Sequence, residues 1–211
     1  LWRDGQPAKL TKKAYDYLIG ADATPAQRRD FQAYWLQCET EWLRAERSFA
    51  GVLAFTHLTN NYGFTGDWYI NNIKDLETGP SFNWFRHTFA KANVFIDLAD
   101  QRYFPNGHYE PNQKIDFDLV GVNDNPEPVS GRIELSLVGP GNKILKTIRT
   151  EITIPPFGRT DQPVSLQLPS KSGGYLIESK FRPAGSSQIF KSRRYIRIGN
   201  SGQMIFPETN P

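Results

Sequence analysis

The sequence predicts an all-β sandwich over about residues 91–199, preceded by an α/β segment that is not a complete domain by itself. Apolar residues recur at helical spacing in the first part, and the period changes to two from Asn93 onward. Turn residues punctuate the second part at intervals that suit short strands. Aromatics, 13% of the chain, concentrate before residue 105 and include all five tryptophans: Trp2, Trp35, Trp42, Trp68 and Trp84.

In chain order, Thr24-Pro25-Ala26-Gln27 is a helix start. Thr24 can cap free N–H groups, Pro25 suits the first helical position and Gln27 can close a capping box. Phe31, Tyr34, Trp35, Cys38, Trp42 and Ala45 then recur at helical spacing, so one apolar face of a long helix needs a partner. The helix gives way at Ser48 to Ala50. Gly51-Val52-Leu53-Ala54-Phe55 is an unbroken apolar run of the kind found in strands buried on both faces. A loop rich in aromatic and amide side chains follows, Asn60 to Asn72, and a second helix is expected over Pro80 to Lys91. One buried strand cannot make a parallel sheet. Either its neighbours belong to sequence outside this chain, the preferred reading, or the segment packs on a partner.

The second part alternates as half-buried strands do, in Ile115–Leu119, Ile133–Leu137, Ile148–Ile154, Val164–Leu168 and Tyr175–Phe181. Val94–Leu98 and Ile189–Ile198 supply the outer two. Turn signals lie at Asn123–Pro126, Gly139–Asn142, Ser172–Gly174 and Pro183–Ser186. Seven short strands without long helices predict an immunoglobulin-like sandwich, although the Cys-Trp-Cys signature of antibody domains is absent. Lys191, Arg193, Arg194 and Arg197 on the last strand read as a solvated face balanced by neighbouring acids.

Composition narrows the function classes. At 211 residues the chain suits one large or two small domains, and 38% apolar against 22% charged residues is a globular balance. A net charge of +3 is too small to imply nucleic acid. The lone Cys38 excludes an intrachain disulfide and reads as core. No stretch approaches the roughly 18 to 20 apolar residues of a membrane helix, and Leu1-Trp2-Arg3-Asp4-Gly5 is not a signal peptide. His57, His87 and His108 lack metal-ligand spacing, and no phosphate-cradling loop or nucleophile elbow is present, so no cofactor or metal is expected.

The chemistry-bearing stretch is the loop after Phe55, with His57, Asn60, Asn61, Tyr62, Phe64, Asp67 and Trp68. Sugars present a C–H face that stacks on aromatic rings and hydroxyls that need planar donors and acceptors, so these residue types suit sugar binding. Loop packing is the competing reading. It is preferred for Phe64, stands level with sugar binding for Trp68, Asn60 and His57, and Asp67 also reads as a turn cap.

Gly51 to Asn61, Asp67-Trp68, the aromatic-rich helix, Val94-Phe95-Ile96-Asp97-Leu98-Ala99-Asp100-Gln101-Arg102-Tyr103-Phe104 and Val122-Asn123-Asp124 together resemble the end of glycoside hydrolase family 2 proteins. That family includes β-galactosidases, β-glucuronidases and β-mannosidases. The resemblance spans about residues 25–200. Phe55 stands where the family commonly has Trp, and Thr56-His57-Leu58-Thr59-Asn60 departs from the usual pattern after it, which implies a distant subfamily.

The resemblance implies the last strand and helices of a (β/α)8 barrel over residues 1–91, an immunoglobulin-like β-sandwich over 92–200 and a tail over 201–211. It implies an enzyme that hydrolyses O-glycosidic bonds with two carboxylates about 5 Å apart, both upstream of this chain, which alone would be inactive. No catalytic residue is assigned here; Glu39 and Glu41 sit in the long helix, where solvated or ion-pair roles are preferred. The implied substrate-binding residues are His57, Asn60, Asn61, Tyr62 and Trp68. The expected partners are an oligo- or polysaccharide and the remainder of the parent enzyme, with no nucleic acid and no membrane, and the implied location is extracellular or periplasmic. The alternative is a non-catalytic carbohydrate-binding or cell-surface interaction module.

Overall fold

A computed structural model describes residues 2–3, 6–7, 12–48, 51–52, 77–101 and 107–199. In chain order these form β1 (Trp2–Arg3), β2 (Gln6–Pro7), α1 (Lys12–Ile19), α2 (Pro25–Ala45), α3 (Pro80–Thr88), β3 (Ala92–Asp97), β4 (Gly107–Tyr109), β5 (Lys114–Asn123), β6 (Val129–Gly139), β7 (Lys143–Ile154), β8 (Arg159–Gln167), β9 (Gly173–Pro183) and β10 (Phe190–Ile198). The helix start read from Thr24 is present as a full capping box: the Thr24 hydroxyl accepts from the Gln27 N–H, and Gln27 Oε1 accepts from the Thr24 N–H at 2.8 Å.

Two sheets face each other, one ordered β4-β10-β9-β6-β7 and the other β3-β5-β8. All the pairings are antiparallel except β4 on β10. The short parallel strand β4 is an element the sequence reading missed. Alternate residues meet between the sheets, including Val94, Ile96, Leu119, Ile133, Leu135, Ile154, Leu166, Ile177, Phe181 and Ile196. Pro163 falls on β8, an edge strand, where a missing N–H costs no ladder bond. Gly121 lies where an added Cβ would stand 2.8 Å from Ile154, so the facing sheet needs a glycine there.

The outer faces are apolar too. Leu18, Phe31, Tyr34 and Cys38 pack on Val138, Leu176 and Tyr195 of the five-stranded sheet. At the other end of α2, Ala45 packs on Phe95, Val120 and Val122 of the three-stranded sheet. The helix therefore crosses the open edge where β10 and β3 run side by side, an edge also closed by the Ile96 N–H donating to the Ser192 hydroxyl at 3.1 Å. Burying each large side chain contributes about 1.5–3 kcal/mol, so Phe31 and Leu18, both at 0% exposure, hold α1 and α2 firmly to the sheet.

This arrangement corrects the expected α/β fragment. The described residues form a β-sandwich with three helices, and among them nothing corresponds to the last strand and helices of a (β/α)8 barrel. Gly51 and Val52 are neither strand nor helix, and residues 53–55 lie outside the described residues. The physical reason is that the apolar face of α2, which called for a cover, has one in the sandwich of its own chain. Arg193, Arg194 and Arg197 are corrected likewise: each is 4% exposed, because α1, α2 and α3 lie over the strand that carries them.

Candidate functional site

Two helices bracket the aromatic and amide-rich stretch, α2 before it and α3 after it. The predicted residues His57, Asn60, Asn61, Tyr62 and Trp68, with Phe64 and Asp67, lie outside the described residues. The structure therefore defines the elements that precede and follow that stretch in the chain.

The middle of α2 is pinned by charge. Glu41, with 0% exposure, accepts at 2.7 Å from each of Gln37 Nε2, the Ser192 hydroxyl and Arg194 Nη1. One turn back, Gln37 Oε1 accepts from Arg193 Nε at 2.9 Å, and the Arg193 guanidinium lies 3.5 Å from the Trp84 ring centre of α3. The Tyr34 hydroxyl donates to Gln101 at 2.8 Å and accepts from the Tyr195 N–H at 3.0 Å. Burial pushes that phenol well above its ordinary pKa, so it stays neutral. Glu41 is thus an ion-pair residue of the fold, and the ion-pair reading holds for it.

The C-terminal end of α2 is tied as closely. Arg159 Nη1 donates to the Ala45 carbonyl at 2.7 Å, satisfying one of the acceptors a helix end leaves open. Asp124 accepts from Arg44 at 2.6 Å and from Arg47 at 2.8 Å, and Arg44 also donates to the Thr88 carbonyl at the end of α3. Burial raises the Asp124 carboxyl, but the Arg47 hydrogen bond and the Arg44 charge more than reverse this, leaving it below the ordinary carboxylate value. Its neighbour Asn123, fully buried, donates to the Glu127 and Pro155 carbonyls at 2.8 and 3.1 Å. The Asn-Asp pair singled out by resemblance thus ties two sandwich loops and the end of α2 together.

At this end a cleft of about 460 Å³ opens, lined among the described residues by Leu43, Arg44, Glu46, Arg47, Gly51, Val52, Phe89, Asp124 and Phe157. Gly51 and Val52 lead from the cleft into the predicted loop. Phe157 is 63% exposed and Phe89 37% exposed, so two aromatic rings flank a charged lining. Phe157 has φ 47° in a turn closed by the Gly158 N–H donating to the Pro155 carbonyl at 3.2 Å. A positive φ at the second corner of a turn favours Gly or Asn and is an outlier for a bulky residue. The glycine next to it is needed for space, since a Cβ at Gly158 would lie 2.6 Å from Pro155 Cγ. Sequence reasoning missed Phe157, Phe89 and Arg47. The Pro-Pro-Phe-Gly stretch signals a turn, but not that its aromatic takes the positive φ.

No family model matches the chain, and no curated protein matches it. Several solved structures match part of the chain at low similarity. The CARDB domain of a Pyrococcus furiosus protein is 10% identical over 54% of this chain and 94% of that one, with a TM-score of 0.38. A family 123 glycoside hydrolase from Clostridium perfringens is 8% identical over 52% of this chain, with a TM-score of 0.38, and this chain spans only 27% of it. A red sea bream transglutaminase is 8% identical over 52% of this chain and 16% of its own, with a TM-score of 0.39. A glycoside hydrolase is among these neighbours, and so is an enzyme of another class; no helix of the described residues is long and apolar enough to cross a membrane.

Proposed function

We propose that this chain is a sugar-contacting, non-catalytic part of a glycoside hydrolase related to family 2, in which the sandwich and its helices hold the segment from Val52 to Glu77 against the substrate. The observation that carries this reading is the cleft. The aromatic and amide stretch His57 to Trp68 is reached through Gly51 and Val52 from a cleft already flanked by two exposed aromatic rings. Such a combination of apolar faces and planar polar groups matches the surface of a sugar. The two carboxylates of O-glycoside hydrolysis would then come from the rest of the parent protein. Two carboxylates of this region, Glu41 and Asp124, are paired with arginines, which supports that division of labour.

The test is kinetic and uses the full parent protein. Trp68→Ala and Asn60→Ala are each expected to lower kcat/KM on an aryl glycoside about tenfold or more, the loss of one good stacking or hydrogen-bonding contact. Unchanged kinetics in both variants would remove the loop from the site.

A further inference from the structure

We infer that the cleft at the end of α2 is itself a binding subsite for a neutral pyranose, with the Phe157 ring as its stacking platform. The inference rests on the carbohydrate reading above for its ligand class, and on geometry for everything else.

Phe157 is the first argument. It contributes little to packing, being 63% exposed, yet the chain holds it with φ 47°, where a side chain is costly. Its backbone is fixed on both sides: its N–H donates to the Asn125 carbonyl at 3.1 Å, and its carbonyl accepts from Arg47 at 3.2 Å. A bulky ring retained at a strained corner and presented to solvent on a rigid turn has the form of a contact surface for something outside the chain.

The lining is the second argument. Among the described lining residues Arg44 and Arg47 stand with Asp124 and Glu46, two positive and two negative groups, so their charges balance. Arg44 and Arg47 each already give two of their donors to Asp124 and to the carbonyls of Thr88 and Phe157. A phosphate or carboxylate reaching their remaining donors would be repelled by Asp124 and Glu46. A neutral polyhydroxyl ligand meets no such penalty. It can donate to Asp124 and Glu46 and accept from the remaining N–H groups of Arg47. The volume of about 460 Å³ lies within the range of small-molecule sites.

The test is isothermal titration of the 211-residue chain with cellobiose, lactose and mannobiose, and with glucuronate and inorganic phosphate as anionic probes. At least one neutral disaccharide is expected to bind. Phe157→Gly removes the ring while relieving the positive φ, so its fold is not at risk, and it should weaken binding about tenfold or more. Phe157→Trp should stay within about threefold of the parent chain. No binding of any neutral probe, anions binding in preference, or full affinity in Phe157→Gly would each overturn the proposal. Trp68→Ala separates the two readings. If it abolishes binding and Phe157→Gly does not, the loop stands and the cleft falls. If Phe157→Gly abolishes binding while Trp68→Ala and Asn60→Ala leave parent kinetics unchanged, the cleft stands and the loop falls.

Discussion

At the scale of single residues, the informative positions are those where a side chain bears a cost. His87 is 3% exposed, and among the described residues neither of its ring nitrogens has a hydrogen-bond partner. Burial, followed by the charges of Arg86, Lys191 and Arg193, lowers its pKa from 6.5 to about 4. The unfolded chain takes up a proton as the pH falls through about 6.5, whereas the folded chain resists until about 4. Stability that is full above pH 6.5 should therefore be lost progressively between those two values. His87→Gln should flatten that part of a melting-temperature profile against pH, and a profile identical to the parent's would contradict the assignment. Neither His87 nor Phe157 was legible from sequence. A histidine in a helix and an aromatic in a turn do not reveal what lies across from them, and the Pro-Pro-Phe-Gly stretch specifies a turn without specifying which corner takes the positive φ.

Among the elements, α2 decides the architecture, and it was both the best and the worst read. Its start was legible because a capping box is local: Thr24 and Gln27 are three residues apart. Its partner was illegible because the contacts are remote, Glu41 to Arg194 spanning 153 positions. A signal was present on the other side of that contact. Val94-Phe95-Ile96 and Tyr175-Leu176-Ile177 are continuous apolar runs inside strands, the pattern of a strand covered on both faces. Phe95 and Leu176 are the outward members, and both lie under helices. The same logic explains the basic stretch of β10, whose arginines looked solvated only because Gln37, Glu41 and Trp84 are distant in sequence. Removing the Glu41 carboxylate leaves Arg194 buried and uncompensated. Glu41→Ala should cost about 3–5 kcal/mol, read as a lower urea midpoint, and a cost below about 1 kcal/mol would show that the ion pair does not hold the helix.

For the molecule as a whole, the alternation of seven strands made the sandwich legible, because period two requires only a core on one side. The barrel reading failed because an amphipathic helix states that it needs a cover without stating which. With α2 packed on both sheets, the sandwich and its helices form the frame that carries the cleft. That the helices and the sandwich are one folded body is tested most directly by amide hydrogen exchange along the intact chain. The amides of the α2 turn around Gln37 to Glu41 should be protected to nearly the same free energy as those of β9 and β10, opening only with the sheet. Exchange in α2 faster by orders of magnitude while the sheets stay protected would contradict it, and would mark a helix whose true cover lies elsewhere.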